Sequence, residues 1–406
     1  MEPCDHRNSR AEKVGAVSRM NYTASQPGMD QSRLQELRRA FAANAAQHDL
    51  EARFPSVNID RLREAGLLGL TAPRQYGGGS ASLRDVCLVL GTLAEGCAST
   101  TLILAMQLFK LAALNRSPLW PEHVRAAVSA AAVNQGALIN ALRVEPELGS
   151  PTRGGLPATT IRRAAQGGWL LTGHKIFSTG APGLRWMDVW ARTDEEPGRV
   201  GHVLVAAESP GIRIIETWNH IGMRATCSHD VLFTDVAVDD HHVAVRPLEE
   251  WRDADWLQPA WNAAGMSAIY TGIARAARDW TIDFLRHRVP SALGAPLATL
   301  PRAQEKIGEI EMLLAANTRL IDSIAADVDN GSVPPPEETA LLKAMAVENA
   351  VRAVELAASL AGNHAHARAN AIERYIRDVR SGRVQAPQAD AAHLAAGRKI
   401  LLATGT

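Results

Sequence analysis

The residues with the clearest chemical potential end a β-rich run, "KIFSTG", at positions 175–180. Phe177, Ser178 and Thr179 together offer an aromatic face, two hydroxyl groups and three backbone amides. An apolar wall with a few fixed hydrogen-bond donors is what a flat, partly polar ligand requires. The same residues also fit a simpler interpretation, a strand-to-turn transition with a buried ring and solvated hydroxyls.

A second stretch, "RDVRSGRVQAPQAD" at 377–390, contains amide side chains and lacks carboxylates over most of its length. It has no Asp or Glu from 379 to 389, and Gln385 lies in the middle of it. An amide can donate hydrogen bonds but cannot accept a proton at neutral pH. The stretch is therefore suited to binding and orientation and not to proton abstraction.

Metal, membrane and nucleic-acid functions are not indicated. The four cysteines are scattered without a CxxC pair, which predicts neither a zinc site nor a disulfide framework. His364 and His366 form an H-x-H pair without acidic or Cys partners, so we interpret them as helix-end residues or as lining of a substrate pocket. Lys plus Arg equals Asp plus Glu, 43 each, so neither nucleic acid nor an anionic membrane is an expected partner. With no long apolar run and no signal-peptide core, we expect a soluble, cytoplasmic protein.

The elements that must position these residues follow an α, β, α order. Leu34, Leu37, Phe41 and Ala45 recur at helical spacing, whereas short β-rich runs with turn residues fill the middle of the chain. Long Ala-rich helices then return, as is typical of a bundle. Helices are predicted at about 58–67, 82–96, 98–116, 120–132, 259–288, 299–330, 336–361, 370–384 and 388–403. The sequence thus predicts an α+β protein with a disordered tail at 1–30, a helical domain at 31–132, a β domain at 133–245 and a helical bundle at 246–406.

Six stretches in this order together resemble the acyl-CoA dehydrogenase superfamily of flavoenzymes, over about residues 34–400. They are "PRQYGG" (73–78), "VEPELGS" (144–150), "GWLLTGHKIFSTGA" (168–181), "GMRATCSHDVLFTDVAV" (222–238), "LGAPLATLPRAQ" (293–304) and "ERYIRDVR" (373–380). The resemblance implies an N-terminal helical domain, a central β-barrel-like domain and a C-terminal four-helix bundle. It also implies a flavin between the β domain and the bundle, and a homotetramer.

The resemblance assigns residues to the flavin and the substrate. Phe177, Ser178 and Thr179 correspond to flavin contacts. Val144 stands where the family usually has Thr, so one flavin-facing hydroxyl is lost, and Asn140 is the nearest polar candidate on that run. In the oxygen-using branch of the family an Asn in this region lies by the flavin. Ser150 corresponds to an acyl-CoA contact, although a simple turn is the alternative, since the usual following Asp is Pro151.

Arg288 and Gln304 correspond to a loop that reaches the flavin diphosphate of a partner subunit. A guanidinium suits a diphosphate because it donates two parallel charge-assisted bonds. A helix-end cation is the alternative for Arg288. The family's double glycine near the adenine half of FAD reads Gly362–Asn363 here, so FMN is expected as readily as FAD.

Both places where the family carries its catalytic base lack an acid. A Glu nine residues after Arg377 would be residue 386, which is Ala386 here. The other base position falls within "QPAWN" at 258–262, where Asn262 is taken as a substrate contact, and Asp255 would serve only with a shift of about one turn. Dehydrogenation of an acyl thioester needs such a base, whose pKa burial raises toward neutrality.

The missing base favours the branch that contains dibenzothiophene monooxygenase. There a separate reductase supplies reduced flavin, and a sulfur or nitrogen lone pair takes the oxygen without a protein base. We therefore expect a two-component monooxygenase acting on a small S- or N-containing substrate. Gln385, Asn140 and His366 are its predicted catalytic residues, with His364 and His229 as further histidine candidates. An acyl-CoA dehydrogenase and a non-catalytic scaffold of the same fold are the alternatives.

Overall fold

The computed structural model describes residues 30–147, 156–251 and 257–402. The predicted disordered tail, together with Ser150 and Asp255, lies outside these ranges, apart from Asp30. Asp30 caps the first helix, since its carboxylate accepts from the Ser32 amide at 2.8 Å. The described residues form helices, then a sheet, then helices again, so the predicted α+β class is confirmed.

Five helices form the N-terminal part. A capping box at Ser82 and Asp85 starts the third, and Gly136 ends the fifth in a left-handed conformation. The fourth is long and apolar enough to cross a membrane, but 83% of its 18-residue window is buried, as in a core helix. The bounds are α1 Gln31–Glu51, α2 Ser56–Glu64, α3 Leu83–Ala94, α4 Ala98–Arg116 and α5 Glu122–Gln135.

Eight strands form one sheet in the order β6-β7-β3-β2-β4-β5-β8, with β1 parallel to β4. The β-rich runs quoted from the sequence, "GWLLTGHKIFSTGA" and "GMRATCSHDVLFTDVAV", contain β3 and β7. The strands β1, β2 and β8 have only four or five residues each, too few for a clear alternating pattern. The bounds are β1 Leu138–Leu142, β2 Thr160–Arg163, β3 Trp169–Ser178, β4 Leu184–Thr193, β5 Val200–Ala206, β6 Ile212–Ile215, β7 His229–Val238 and β8 Val243–Arg246.

Six α-helices follow the sheet in the described residues, and α6 and α8 form the centre of the bundle. The N-terminal helices pack on the bundle through a close crossing, since a Cβ on Gly272 of α6 would lie 2.4 Å from the Gly91 carbonyl of α3. The predicted helix at 370–384 is in fact interrupted at Arg380. The bounds are α6 Leu257–His287, α7 Pro301–Asp329, α8 Pro336–Ala361, α9 Ala371–Val379, α10 Ser381–Val384 and α11 Ala389–Leu402.

Candidate active site

The end of β3 presents an aromatic ring in an unusual backbone conformation. Phe177 has φ +56°, and its side chain is 52% exposed, whereas the next residue, Ser178, is 1% exposed. A bulky residue in the left-handed region is a genuine outlier and a reason to look for function. Trp218 and His220 stack on each other at 3.6 Å and turn their edges to the Phe177 ring at 6.3 and 6.1 Å. The result is an open aromatic corner.

Hydroxyl groups form a chain directly beside this corner. The Thr179 and Ser228 hydroxyls lie 3.0 Å apart, and those of Ser228 and Thr226 lie 2.8 Å apart. The Thr226 hydroxyl donates to the Met223 carbonyl at 2.8 Å, which fixes the direction of the chain at that end. Because Thr226 must donate to that carbonyl, the Ser228 hydroxyl donates to Thr226 and Thr179 donates to Ser228 in the arrangement that satisfies every group.

Asn140 braces the same turn from β1. It is 4% exposed, its Nδ2 donates to the Thr179 carbonyl at 3.0 Å, and its Oδ1 accepts from the Ala141 amide at 2.7 Å. The structure therefore brings two predicted site residues, Asn140 and Thr179, into direct contact. Both amide atoms of Asn140 are bonded to backbone, so in this structure it positions the turn.

His229 lies next to the hydroxyl chain, paired across the sheet with Ser178. Its Nδ1 accepts from the Trp218 amide at 3.1 Å, and burial lowers its pKa below the ordinary value. A backbone N–H can only donate, so the neutral ring carries its proton on Nε2. Of the three histidines considered from the sequence, His229 is the one that the fold places beside the Phe177–Thr179 turn.

Arg377 and Asp378 of α9 hold the 220–228 loop that carries Thr226 and Ser228. The Asp378 carboxylate accepts from the Met223 amide at 2.6 Å, and Arg377 donates to the Ile221 carbonyl at 2.6 Å and to Asp49 of α1. Burial raises the pKa of Asp378 to about 6. A Cβ on Gly222 would lie 2.4 Å from the Arg377 carbonyl, so only glycine allows this approach. The bundle, α1 and the 220–228 loop are thereby fixed to one another.

The segment after α10 is tethered to α8 and α6. The buried ammonium of Lys343 donates to three carbonyls, of Gly382 and Gln385 at 2.8 Å and of Pro387 at 3.1 Å. Burial lowers the pKa of Lys343 to about 8. The Tyr270 hydroxyl donates to Gln385 Oε1 at 2.8 Å. Gln385 is thus held through both its backbone and its half-buried side chain.

Asn262 lies near the start of α6, away from the Tyr270–Gln385 contact along the helix axis. Its Oδ1 accepts from Gln258 at 2.9 Å, and Gln258 in turn accepts from Arg116 at 3.1 Å. At 1.5 Å per residue, Tyr270 lies about 12 Å further along the helix axis than Asn262. Asn262 and the Tyr270-bound Gln385 are therefore separated along α6 by roughly that distance.

Val144 and the residue after it link β1 to β3. The Val144 carbonyl accepts from the Ile176 amide at 3.0 Å, and the buried Glu145 bonds Lys175 at 2.6 Å and the Ala158 amide at 2.7 Å. Burial raises the pKa of Glu145, but the hydrogen bonds from Lys175, Thr159 and Ala158 and the Lys175 charge together hold the pKa below the ordinary value. The buried ion pair therefore fixes the position of β3 just before the Phe177–Thr179 turn.

Three predicted site residues lie at the opposite end of α6. Arg288 is exposed, follows the last residue of α6, and lines a shallow groove with Trp280 and Phe284. Phe284 also contacts the His364 ring at 5.1 Å, which places the short 362–366 helix, with exposed His366, at that end. Gln304 is exposed and donates to the Ala298 carbonyl. From Asn262 to His287 the axis runs about 38 Å, so one protomer does not bring Arg288 to Asn262.

Four residues around the Phe177 ring were not predicted from the sequence. Thr226, Ser228, Trp218 and His220 were not singled out, although the first two fall within the quoted "GMRATCSHD" stretch. Their partners are up to 49 residues away, as in the Thr179–Ser228 pair. No spacing rule links such positions; only their place in a motif-bearing loop could have drawn attention to them.

Sequence comparison decides the family. The three acyl-CoA dehydrogenase domains match in order, the N-terminal domain at 29–115, the middle domain at 143–236 and the C-terminal domain at 264–386. A Bacillus subtilis protein described as a putative acyl-CoA dehydrogenase, YdbM, is 35% identical over 353 residues, covering 86% of this chain and 91% of that protein. The chain belongs to the acyl-CoA dehydrogenase family. It is thus a flavin-dependent oxidoreductase, as the sequence predicted.

Other relatives within this family carry different activities. An L-evernosamine nitrososynthase from a Micromonospora strain is 27% identical, covering 86% of this chain and 83% of that protein. The crystal structure of a Micromonospora carbonacea nitrososynthase matches with a TM-score of 0.80 at 25% identity, over 91% of this chain and 95% of that one. KijD3 in complex with FMN and an amino sugar nucleotide matches with a TM-score of 0.78 at 26% identity, over 91% and 92%.

The described residues of this family member fit a flavin in character. The half-exposed Phe177 ring, on a left-handed backbone, provides an apolar wall. The adjacent Thr179 hydroxyl donates to Ser228 and keeps acceptor lone pairs, so it can receive a hydrogen bond from a ligand. A flavin needs a flat wall and polar contacts at its edge, since the protein tunes the ring by such contacts.

Proposed function

We propose that the chain is a flavin-dependent monooxygenase that oxidises a nitrogen or sulfur atom of a small substrate, with reduced flavin supplied by a separate reductase. The observation that carries the proposal is the tethered segment 382–387. Lys343 and Tyr270 hold it in place, and it offers the Gln385 amide but no carboxylate. Nitrogen is the preferred atom, because relatives 27–28% identical to the chain are described as L-evernosamine or amino sugar nitrososynthases.

The carboxylates near the aromatic corner do not substitute well for a base. Asp378 is 3% exposed and bonded to the Met223 amide, and Asp230 is bonded to His174 at 2.8 Å and to Thr217 at 2.6 Å. A general base must reach the proton that it removes. Attack by a nitrogen or sulfur lone pair requires no such proton transfer from carbon, which suits this set of residues.

In this proposal the chain's own residues bind and orient. When bound, a reduced flavin supplies the two electrons with which O₂ gives one oxygen atom to the substrate and the other to water. Phe177 supports the flat ring, and the hydroxyl of Thr179 is held in place by Ser228, with Asn140 fixing the turn. Gln385 orients the substrate, because its amide can donate and accept without changing charge.

Acyl-CoA dehydrogenation is the second candidate, favoured by the 35% identity to YdbM. Its base would have to come from an acid such as Glu216, an exposed residue whose charge acts on His229. A non-catalytic scaffold of the same fold is the third candidate, and it predicts purified protein that takes up no flavin.

We also propose a cytoplasmic homotetramer that binds FMN or FAD. The separation of about 38 Å along α6 supports a second subunit, since Arg288 and Gln304 would reach a flavin only in a partner's site. Exposed apolar side chains on the bundle support contacts between copies; they are Met312, Leu394, Ile400, Leu401 and Leu402. Chromatographic identification of the flavin released by denaturation, together with the mass in solution, tests both points.

The deciding experiment compares two half-reactions of the flavin-loaded protein. Photoreduced protein is mixed with O₂ in a stopped-flow instrument, with and without an amino sugar nucleotide or an aryl thioether. Oxidised protein is mixed anaerobically with butyryl-CoA and octanoyl-CoA. We expect a transient absorbance in the first reaction and oxygenated product by mass spectrometry, and no bleaching in the second. Bleaching of the oxidised flavin by a saturated acyl-CoA would contradict the monooxygenase proposal and support acyl-CoA dehydrogenation.

A matched pair of glutamines tests the role of Gln385. Gln385→Ala removes the tethered amide, whereas Gln388→Ala removes a neighbouring amide that donates to the Val384 carbonyl at 3.3 Å. We expect Gln385→Ala to lower the yield of oxygenated product per flavin oxidised by roughly 10-fold, a loss typical of one orienting hydrogen bond. Gln388→Ala should leave that yield unchanged. If the two variants have equal effects, Gln385 does not orient the substrate.

A further inference from the structure

Three histidines and an aspartate meet where the first turn of α5 touches the connection between β7 and β8. The His123 and His241 ring centroids are 5.0 Å apart, and those of His241 and His242 are 4.7 Å apart. Ligand atoms of Asp239, His241 and His242 all lie within 4.8 Å of one another. In residues 30–147, 156–251 and 257–402, no other group of three His, Cys, Asp or Glu side chains gathers its ligand atoms so closely.

The backbone beneath this cluster is well fixed. His242 donates its amide to the Asp239 carbonyl at 3.0 Å, closing a single helical turn. Asp240 is engaged elsewhere, since its carboxylate accepts from Arg163 at 2.7 Å and from the Trp169 indole at 2.8 Å. Asp240 therefore anchors the turn, whereas the side chains of Asp239 and His241 are directed toward solvent. The His241 side chain is 45% exposed and that of Asp239 is 76% exposed, so both can adjust.

We propose that Asp239, His241, His242 and His123 bind one divalent transition metal ion of the zinc type. Imidazole nitrogen with one carboxylate oxygen is a donor set that suits zinc, whereas magnesium and calcium prefer oxygen ligands alone. Ligands at about 2.0–2.1 Å from a tetrahedral ion lie about 3.3 Å apart, so the ligand atoms of Asp239, His241 and His242, now within 4.8 Å of one another, close with shifts of about 1 Å. The His123 ring, whose centroid is 5.0 Å from that of His241, completes the set by turning toward these three. His241 and Asp239 are already 3.8 Å apart.

The ion would join two parts of the chain. Three of its ligands belong to the connection after β7, and the fourth, His123, belongs to α5 of the N-terminal helices. Its role is structural, because it fastens α5 to the β sheet. This proposal departs from the sequence-based expectation of no metal site. Asp239, His241 and His242 are neighbours in sequence, but the fourth donor becomes visible only in the fold.

Calorimetry on untagged, full-length protein stripped with EDTA tests the site, with ZnCl₂ as titrant in a non-chelating buffer. We expect one equivalent to bind, and Co²⁺ to give the visible bands of a tetrahedral nitrogen–oxygen site. His241→Ala and His242→Ala should each weaken zinc binding by at least about 100-fold, more than the loss of an outer partner costs. His123→Ala should weaken it by about 10-fold and remove most of the zinc-induced rise in melting temperature.

The H-x-H pair provides the matched control. The double variant His364→Ala, His366→Ala removes two exposed imidazoles and should bind zinc as the unaltered protein does. Asp239→Asn, which is isosteric, should keep the fold by circular dichroism and still weaken binding. Absence of zinc binding, or a titration unchanged in His241→Ala and His242→Ala but lost in the 364/366 variant, would overturn the proposal.

Discussion

The hydroxyl of Tyr270 on α6 donates a 2.8 Å hydrogen bond to the side-chain oxygen of Gln385, 115 residues later in the chain. Tyr270 is fully buried, and burial raises its pKa well above the ordinary value, so the group is a neutral donor at any working pH. A buried phenol with a single partner fixes that partner's orientation. The hydrogen bond therefore fixes the uncharged Gln385 side chain in a defined orientation.

A double-mutant cycle on this pair should return a coupling energy. Tyr270→Phe and Gln385→Ala are each expected to lower the free energy of unfolding by about 1 kcal/mol, because each removes the same hydrogen bond. The double variant should then lose about 1 kcal/mol less than the sum of the two. Urea denaturation measures all four species. Strict additivity would mean that the bond contributes nothing to stability.

Gly382 should not tolerate a side chain, whereas Gly308 should. A Cβ on Gly382 would lie 2.8 Å from Val347 and 3.0 Å from the Tyr270 ring, both in the bundle core. We expect Gly382→Ala to cost about 1–3 kcal/mol through overpacking. Gly308 on α7 has nothing within 4 Å of the added atom, so Gly308→Ala should stabilise the protein by up to about 1 kcal/mol. Thermal unfolding of both variants checks the contrast; a stabilised Gly382→Ala protein would contradict the close packing.

Asp378 should make stability fall as the pH rises through the weakly acidic range. Its pKa is about 6 in the folded protein, against an ordinary value of 3.8, so the folded state binds the proton more tightly. The cost of ionising the carboxyl is therefore absent below pH 4, grows between pH 4 and 6, and is complete above that, reaching about 3 kcal/mol. Asp378→Asn keeps an acceptor for the Met223 amide and carries no charge.

The measurement is the difference in free energy of unfolding between the unaltered protein and Asp378→Asn from pH 4 to 7. We expect this difference to move by about 3 kcal/mol in favour of the variant as the pH rises. Asp60→Asn, at an exposed carboxylate, serves as the control and should give a flat difference. A flat difference for Asp378→Asn as well would show that its carboxyl titrates normally.

Replacing only one partner of the buried Glu145–Lys175 ion pair should strongly lower the free energy of unfolding. Lys175 is fully buried and donates to Glu145 and to the Trp190 carbonyl, each at 2.6 Å. Lys175→Met leaves a buried carboxylate without its cation, which should cost about 3–5 kcal/mol. Adding Glu145→Gln should recover part of this loss. Arg352→Ala breaks the exposed pair with Glu309 and should cost under about 1 kcal/mol by urea denaturation.

The helices and the order of domains could be read from the sequence because their signals are local. The predicted segments 98–116 and 336–361 coincide with α4 and α8. Pro335 and Pro336 mark the start of α8, and α4 is an uninterrupted, largely apolar run between Gly96 and Pro118. The short strands β1, β2 and β8 were missed because four or five residues give too little alternation to distinguish them from loops. The interruption at Arg380 was missed because no proline or glycine stands at that residue.

The sequence by itself determined the family, the α+β layout and the absence of an acid at both expected base positions, since these depend only on residue type and spacing. The tertiary structure decided which residues meet. It joined Asn140 to Thr179 and Tyr270 to Gln385, and it put His229, in preference to His366, beside the aromatic corner. Contacts of this kind join residues that are tens to hundreds of positions apart. Chain folding brings them together, and no local pattern encodes the pairing.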